Sequence, residues 1–209
     1  MSFEHVVQSE QGQITRDSPA PVVRYSVVVP VYGNEATIPA LVERLGALTD
    51  WLDDSLEAVF VVDGSPDGSL PLLRRLLTEE ARFEAQLITL SRNFGSFSAI
   101  RAGLAAAEGE YVAIMAADLQ EPIELVRDFF AALSGGDHDV AVGVRAARSD
   151  PPLTMLASRM FWKLARSLGQ PELPSGGADA FACTRQVASH LIRLDESHSS
   201  LIGLLYWVG

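Results

Sequence analysis

The stretch YSVVVPVYGNE (residues 25–35) decides the fold class, because a β-branched apolar run ends there abruptly in polar residues. Its first seven residues have the character of a strand buried on both faces, as strands of parallel sheets are. Similar short runs follow at residues 58–62, 86–90, 111–115 and 139–143. Leucines and alanines recur at helical spacing between them. Strands alternating with helices predict an α/β domain, with a mainly parallel sheet covered by helices on both faces.

The predicted helices cover about residues 36–48, the leucines from Leu70 to Leu77, an alanine-rich segment that ends near Ala107, and about residues 123–133. In open sheets of this kind, ligands bind beyond the carboxyl ends of the strands. Polar residues follow each predicted strand at that point: Asn34, Glu35, Asp63, Arg92, Asn93, Asp118, Gln120 and Arg145. Their convergence on one edge of the sheet predicts a binding site.

Composition excludes several classes of function. The 209 residues suffice for one domain with a buried core, and the net charge of -11 argues against general nucleic-acid binding. The single cysteine, Cys183, forms no CxxC pair, so we interpret it as a structural thiol and expect no zinc site. No apolar run is long enough for a membrane-spanning helix. Since no GxGxxG follows the first strand and no GxxxxGK[ST] occurs, a dinucleotide dehydrogenase or P-loop NTPase is disfavoured.

The acidic residues at the predicted sheet edge point to phosphate binding through a metal. A carboxylate does not bind a phosphate directly, but a hard divalent cation takes oxygen ligands from both. Asp118 and Gln120 stand two residues apart after a strand and are placed to hold such a cation against a diphosphate. Asp63, after another strand, could accept hydrogen bonds from a base or a ribose. The alternative is that each acid caps a turn or a helix, as aspartate commonly does.

Five segments resemble the successive motifs of family-2 glycosyltransferases, in the branch of dolichol-phosphate mannose synthase and the bacterial polyprenyl-phosphate glycosyltransferases. They are VVVPVYGNE (27–35), VVDGSPDGS (61–69), LSRNFGSFSAIRAGLAAAEGEY (90–111), AADLQEP (116–122) and GVRAAR (143–148). The resemblance covers about residues 25–209. It implies a GT-A (Rossmann-like) fold and an inverting transfer of a sugar from UDP- or GDP-sugar to a polyprenyl phosphate. A glycan or other hydroxyl acceptor is the alternative.

The resemblance also implies roles for individual residues. Asp118 and Gln120 match the positions that bind Mg²⁺ or Mn²⁺, which makes Asp118 a catalytic candidate as well. Asp179 lies in a segment similar to the family's GDF motif and inherits the candidacy for catalytic base. Arg145 and Arg148 resemble arginines that meet the acceptor phosphate. The positions that match nucleotide-contacting residues are Pro30, Tyr32, Glu35, Asp63, Arg92 and Asn93.

Two departures from the family pattern concern the acids. The family usually has DDGS where this chain has Val62 before Asp63, and DAD where it has Ala116 two residues before Asp118. Fewer carboxylates should hold a metal less tightly, unless water and phosphate complete its shell. A nucleotide-sugar-binding relative with weak or no turnover is therefore an alternative. A nucleotidyltransferase is disfavoured, because no basic glycine-rich loop follows the first strand.

The segment from Arg145 to Arg166 is basic, with five basic residues and one acid in a chain that is acidic overall. Apolar residues between them predict an amphipathic helix. It could lie at an anionic membrane surface and guide a lipid phosphate to the site, or pack its apolar face on the core. We expect a cytoplasmic protein, peripheral to the inner face of the cell membrane if the acceptor is a lipid.

The two ends of the chain predict the domain organisation. Residues 1–24 are polar and close with Pro19 and Pro21, which is typical of a flexible leader. The catalytic domain should then cover residues 25–209. It ends on the apolar run LLYWVG (204–209), so we expect it to be truncated at this end, and membrane helices could follow in the parent protein.

Overall fold

The computed structural model describes residues 23–52, 54–143 and 180–193. The strands form one sheet in the order β3-β2-β1-β4-β6-β5. The first four in this spatial order are parallel, and β6 is antiparallel to both of its neighbours. The strands are β1 (Tyr25–Val31), β2 (Leu56–Asp63), β3 (Glu84–Leu90), β4 (Tyr111–Ile114), β5 (Val140–Val142) and β6 (Phe181–Thr184). The predicted α/β class with a mainly parallel sheet is confirmed.

Helices cover both faces of the sheet. The helices are α1 (Ile38–Trp51), α2 (Ser69–Glu79), α3 (Ser96–Ala106), α4 (Ile123–Ser134) and α5 (Arg185–Arg193). The buried residues of α1, α2 and α4 share one hydrophobic cluster with the sheet, and those of α3 and α5 share another. Two cores on opposite faces leave the central strands β1, β2 and β4 buried on both sides, which explains their lack of polar alternation.

The central strand β1 feeds alternate side chains into the two cores. Val27 and Val29 belong to the cluster with α1, whereas Val28 belongs to the cluster with α3. All three are fully buried, and each such valine stabilises the fold by about 1.5–3 kcal/mol. The α3 backbone lies so close to this strand that a Cβ on Gly103 would come within 2.2 Å of Val28 Cγ1. A side chain at position 103 would push the helix off the sheet.

The structure corrects the element predictions in two places. Helix α1 begins at Ile38 rather than near residue 36, because the preceding residues form a loop and Pro39 lies in the first turn. Strand β6 and helix α5 were not predicted. Strand β6 has four residues and α5 begins at the next one, so no turn residue separates them in the sequence.

Two further predictions have different outcomes. The Cys183 thiol is buried in β6, and this burial raises its pKa to about 12, as expected of an inert structural thiol. Of the predicted leader (residues 1–24) the structure describes Val23 and Arg24 alone, and the predicted C-terminal run (204–209) lies outside the described residues, so the predicted domain organisation remains a prediction. Within the described ranges no helix is long and apolar enough to cross a membrane.

Candidate active site

A cleft of about 390 Å³ lies where β1, β2 and β4 end and the loop after β3 begins. This is the sheet edge at which the sequence predicts a site. The apolar residues that line it are Pro30, Val31, Ala99, Ala116 and Ala117. The polar or charged residues that line it are Tyr32, Asn34, Asp63, Asn93, Ser96 and Asp118. Four separate connections of the fold thus supply polar groups to one cleft.

Asp63, the last residue of β2, borders the cleft with a side chain that is only 3% exposed. One carboxylate oxygen accepts the N–H of Phe94 and the other accepts the N–H of Gly95, both at 2.8 Å. Asp63 therefore holds the loop between β3 and α3 in place. Each carboxylate oxygen has a second lone pair, so Asp63 can also accept a hydrogen bond from a ligand.

Gly64 brings the loop after β2 into backbone contact with the loop after β3. Its φ of +60° lies in the left-handed region, and a Cβ there would come within 2.4 Å of the Arg92 carbonyl carbon. The neighbouring Asn93 amide nitrogen would be 2.5 Å away. Position 64 requires glycine for both reasons, and the two loops form one unit.

The two loop residues predicted to lie near a nucleotide are placed differently. Asn93 lines the cleft, and its side-chain oxygen accepts the N–H of Gly95 at 2.9 Å. Arg92 is exposed and does not line the cleft. Its guanidinium lies 4.8 Å from the centre of the Phe94 ring, in a cation–π contact. The structure brings Asn93 to the cleft and leaves Arg92 beside it.

Pro30 near the end of β1 and Tyr32 in the loop after it both line the cleft, and the Tyr32 side chain is half exposed. Glu35 is also in this loop but lies outside the lining residues. Its carboxylate accepts the N–H of Gly68 at 2.8 Å, in the loop before α2. Of these three predicted nucleotide contacts, Pro30 and Tyr32 line the cleft, and Glu35 joins the loop after β1 to a neighbouring loop.

Asp118, the predicted metal ligand, is exposed and lines the cleft. Its Oδ1 accepts the backbone N–H of Gln120 at 3.1 Å, and its Oδ2 makes no hydrogen bond to any described residue. Leu119 between them has a φ of +62°, which is uncommon for a leucine. Oδ2 is thus available to a hard cation. Gln120 is exposed beside the cleft and does not line it.

The model of the family described as Glycosyl transferase family 2 matches residues 26–191, most of the chain. This chain belongs to glycosyl transferase family 2. The predicted family resemblance is therefore confirmed.

Two curated relatives support this assignment. One is an uncharacterized glycosyltransferase, YkcC, from Bacillus subtilis, which is 33% identical over 90% of this chain and 57% of its own length. Another is the undecaprenyl-phosphate 4-deoxy-4-formamido-L-arabinose transferase of Aeromonas hydrophila, 33% identical over 86% of this chain and 54% of its own length. The chain spans little more than half the length of these relatives.

Solved structures share the fold. Residues 1–349 of TarS from S. aureus superpose with a TM-score of 0.59 at 20% identity, covering 88% of this chain and 54% of that one. Glucosyl-3-phosphoglycerate synthase from Mycobacterium tuberculosis, in complex with Mn²⁺, UDP and phosphoglyceric acid, superposes with a TM-score of 0.54 at 24% identity, covering 79% and 57%. GT-A enzymes of this kind typically use a divalent metal.

The departures of this family-2 chain at Val62 and Ala116 differ in consequence. Val62 is buried in the core cluster with α1 and α2, so the lack of an acid at this position removes no metal ligand from the cleft. Ala116 lines the cleft, so the lack of an acid at this position leaves the cleft with one carboxylate fewer. Among the described residues no group of three or more histidines, cysteines and acids could hold a metal ion. Asp118 is left as the carboxylate of the cleft that is open to a cation.

Three predicted residues, Asp179, Arg145 and Arg148, lie outside the described residues, so their roles remain predictions. The sequence analysis missed one residue beside the site, Asp67. Asp67 lies four residues after Asp63 in the segment VVDGSPDGS (61–69). A second aspartate in the turn before a helix is itself a signal of a hydrogen-bonded loop.

Proposed function

We propose that this chain is the nucleotide-sugar-binding catalytic domain of an inverting glycosyltransferase, and that the donor, a UDP- or GDP-sugar, occupies the cleft. The observation that carries the proposal is the meeting of Tyr32, Asp63, Asn93 and Asp118 in one cleft of about 390 Å³ at the carboxyl edge of the sheet. This is the place where α/β folds bind ligands. Family membership supports the same reaction class and leaves no support for a nucleotidyltransferase.

Donor recognition follows from the groups that line the cleft. Asp63 is fixed by two backbone N–H groups and keeps lone pairs for a base or ribose. Asn93 offers an amide beside it, and the half-exposed Tyr32 ring offers a flat surface for stacking. Arg92, Glu35 and Pro30 complete the proposed nucleotide-binding set, and of these three Pro30 lines the cleft.

A divalent cation, Mg²⁺ or Mn²⁺, fits the carboxyl edge of the cleft at Asp118. The Asp118 Oδ2 is a hard oxygen donor without a partner among the described residues, and Gln120, the second predicted metal ligand, follows two residues later. Bound there, the cation would neutralise the diphosphate as it leaves the sugar. With one carboxylate available, diphosphate and water oxygens must complete the shell, so metal and nucleotide should bind together.

We propose a polyprenyl phosphate as the acceptor. The Aeromonas hydrophila relative is named for an undecaprenyl-phosphate acceptor, and the basic segment from Arg145 to Arg166 suits a phosphate at an anionic membrane surface. An acceptor oxygen would form a bond to the anomeric carbon as the bond from that carbon to the diphosphate breaks. Arg145 and Arg148 would pair with the acceptor phosphate on the cytoplasmic face of the membrane.

The acceptor class decides how much a base matters. A phosphate is already ionised near pH 7 and has no proton to lose, whereas a sugar hydroxyl must be deprotonated. We therefore expect Asp179→Asn to change turnover less than about threefold with a lipid phosphate, against a loss of 10²–10⁴-fold with a hydroxyl acceptor. The comparison separates the two acceptor classes.

The test is sugar transfer by the whole chain, with UDP- and GDP-sugars, Mn²⁺ and undecaprenyl phosphate in detergent micelles. Formation of the lipid-linked sugar and release of the nucleoside diphosphate are measured together. The proposal expects both, and expects neither from Asp118→Ala. Metal-dependent nucleotide binding with no release, whatever the acceptor, would support the second candidate, a binding protein without turnover, which the alanine at position 116 favours.

A further inference from the structure

The first loop (residues 32–37, between β1 and α1) and the second loop (residues 64–68, between β2 and α2) lie side by side at the rim of the cleft. Three hydrogen bonds join them. The Gly33 N–H donates to Ser65 Oγ at 2.8 Å, and the Glu35 N–H donates to Asp67 Oδ2 at 3.0 Å. In the opposite direction, the Gly68 N–H donates to Glu35 Oε2 at 2.8 Å. The two loops are thus connected along their whole length.

Asp67 is the centre of this connection. Besides the Glu35 N–H on Oδ2, its Oδ1 accepts the Ser65 hydroxyl at 2.6 Å and the Ser69 N–H at 3.1 Å. Burial by itself raises the pKa of Asp67, but the hydrogen bonds from Ser65, Ser69 and Glu35 outweigh it and hold that pKa well below the usual range. The carboxylate is therefore ionised at any pH at which the protein is used.

The connection matters because of what the first loop supplies. Asp67 itself does not line the cleft, but Tyr32 and Asn34 of the first loop do. On its other side the first loop is tied to the segment before Asp118, since the Thr37 hydroxyl donates to the Ala117 carbonyl oxygen at 2.6 Å. A change in the position of the first loop would therefore move the cleft wall and disturb the metal-binding side as well.

We infer that Asp67 is a positioning residue for donor binding, which acts by fixing the first loop and with it the Tyr32 and Asn34 wall of the cleft. This inference rests on the proposed function. In Asp67→Asn an NH₂ group replaces one carboxylate oxygen, and it then faces at least one of the three donors that the carboxylate binds. At least one hydrogen bond is lost and a repulsive contact replaces it. Nucleotide binding then also has to order the first loop, and the free energy that this ordering costs lowers the affinity.

The experiment compares Asp67→Asn, Ser65→Ala and a control, Asp50→Asn, by calorimetric titration of the whole chain with UDP and GDP in Mn²⁺. Asp50 is a matched control because its carboxylate also accepts a hydrogen bond, from Arg82 at 2.9 Å, but on the exposed end of α1. We expect roughly tenfold weaker nucleotide binding for Asp67→Asn, the effect of one charge-assisted hydrogen bond. Ser65→Ala should weaken binding about threefold, and Asp50→Asn should bind like the wild type.

Amide hydrogen exchange without nucleotide provides an independent readout. The amides of Gly33 and Glu35 should exchange roughly tenfold faster in Asp67→Asn than in Asp50→Asn, while those of β1 stay protected. Equal exchange in the two variants, or equal nucleotide affinity, would overturn the inference. A wild-type chain that binds neither nucleotide would count against the proposed function alone, because the exchange rates still decide whether Asp67 holds the first loop.

Discussion

Strand β2 carries a buried carboxylate near each end, and the two ends differ in what surrounds them. Glu57 and Asp63 are each 3% exposed. Asp63 accepts two backbone N–H groups from the loop after β3, and Glu57 accepts the backbone N–H of Glu108, in the loop between α3 and β4. Glu57 also accepts the Ser26 hydroxyl at 2.6 Å and the Gln86 side-chain amide at 2.9 Å. Its partners are all protein groups, whereas Asp63 borders the cleft.

The amino end of the sheet extends this closed network. The Gly109 N–H donates to Ser26 Oγ at 2.7 Å, and the Arg185 guanidinium donates to the Gly109 carbonyl oxygen at 2.9 Å. Burial lowers the pKa of Arg185, which the charge of Glu57 partly offsets. Burial and hydrogen bonding therefore do not distinguish Asp63, which we propose contacts the donor, from the structural carboxylate Glu57. The distinguishing feature is the open cleft beside Asp63.

The largest effect expected from this comparison is on stability at the amino end. Glu57→Gln keeps the shape of the side chain but loses its charge, and its NH₂ group must face either the Ser26 and Glu108 donors or the Gln86 amide donor. We expect the free energy of unfolding to fall by about 2–4 kcal/mol, measured by urea denaturation. Nucleotide affinity of the folded fraction should not change. If the folded fraction of Glu57→Gln bound nucleotide more weakly than the wild type, Glu57 would affect nucleotide binding and the two ends of β2 would not differ in role.

Asp63→Asn should show the reverse pattern. The cost in stability should be smaller, about 1–2 kcal/mol, because water in the cleft can solvate the freed N–H groups. Nucleotide binding should weaken more than tenfold, since both the ligand contact and the hold on the loop after β3 are affected. Calorimetry measures the nucleotide affinity and urea denaturation measures the free energy of unfolding, so the two effects can be separated on the same sample. Unchanged affinity with a large loss of stability would make Asp63 a second structural carboxylate.

The contact between the two loops at the carboxyl end is tested by Gly64→Ala, for which Gly33→Ala is the matched control. Both glycines have positive φ, but a Cβ on Gly64 would meet the Arg92 backbone at 2.4 Å, while nothing lies within 4 Å of one on Gly33. The strain common to both costs about 1 kcal/mol, and the clash at position 64 adds about 1–3 kcal/mol. Thermal unfolding measures the difference. Equal melting temperatures would mean that the two loops at the carboxyl end are not in contact.

Much of this arrangement can be predicted from the sequence, for a physical reason. Strands buried on both faces are continuous apolar runs, and the residues after them must meet at one edge, so Asp63, Asn93 and Asp118 could be placed together. The side-chain contacts could not be predicted. Strand order does not predict the hydrogen bond that the Gly68 N–H donates to Glu35, or the position of Arg92 beside Phe94, because both depend on loop conformation.

The amino-end network was missed although the sequence carries a signal for it. Ser26 and Glu57 are polar residues near the start of two apolar strands, and they are paired in the register of β1 and β2. Two polar side chains at the same level of a buried sheet must satisfy each other. Strand β6 gave no comparable signal, since its four residues join α5 directly and its sheet partners are distant in the sequence.

The central claim is that Asp118 binds a cation that holds the diphosphate of the donor. The most direct measurement is calorimetric titration of UDP and GDP into the wild type and Asp118→Asn, each with Mn²⁺ and with EDTA. We expect one of the two nucleotides to bind the wild type at least tenfold more tightly with Mn²⁺ than with EDTA. Asp118→Asn should remove this gain and unfold at the same temperature as the wild type. Equal affinity with and without Mn²⁺, or an unchanged metal effect in Asp118→Asn, would contradict it.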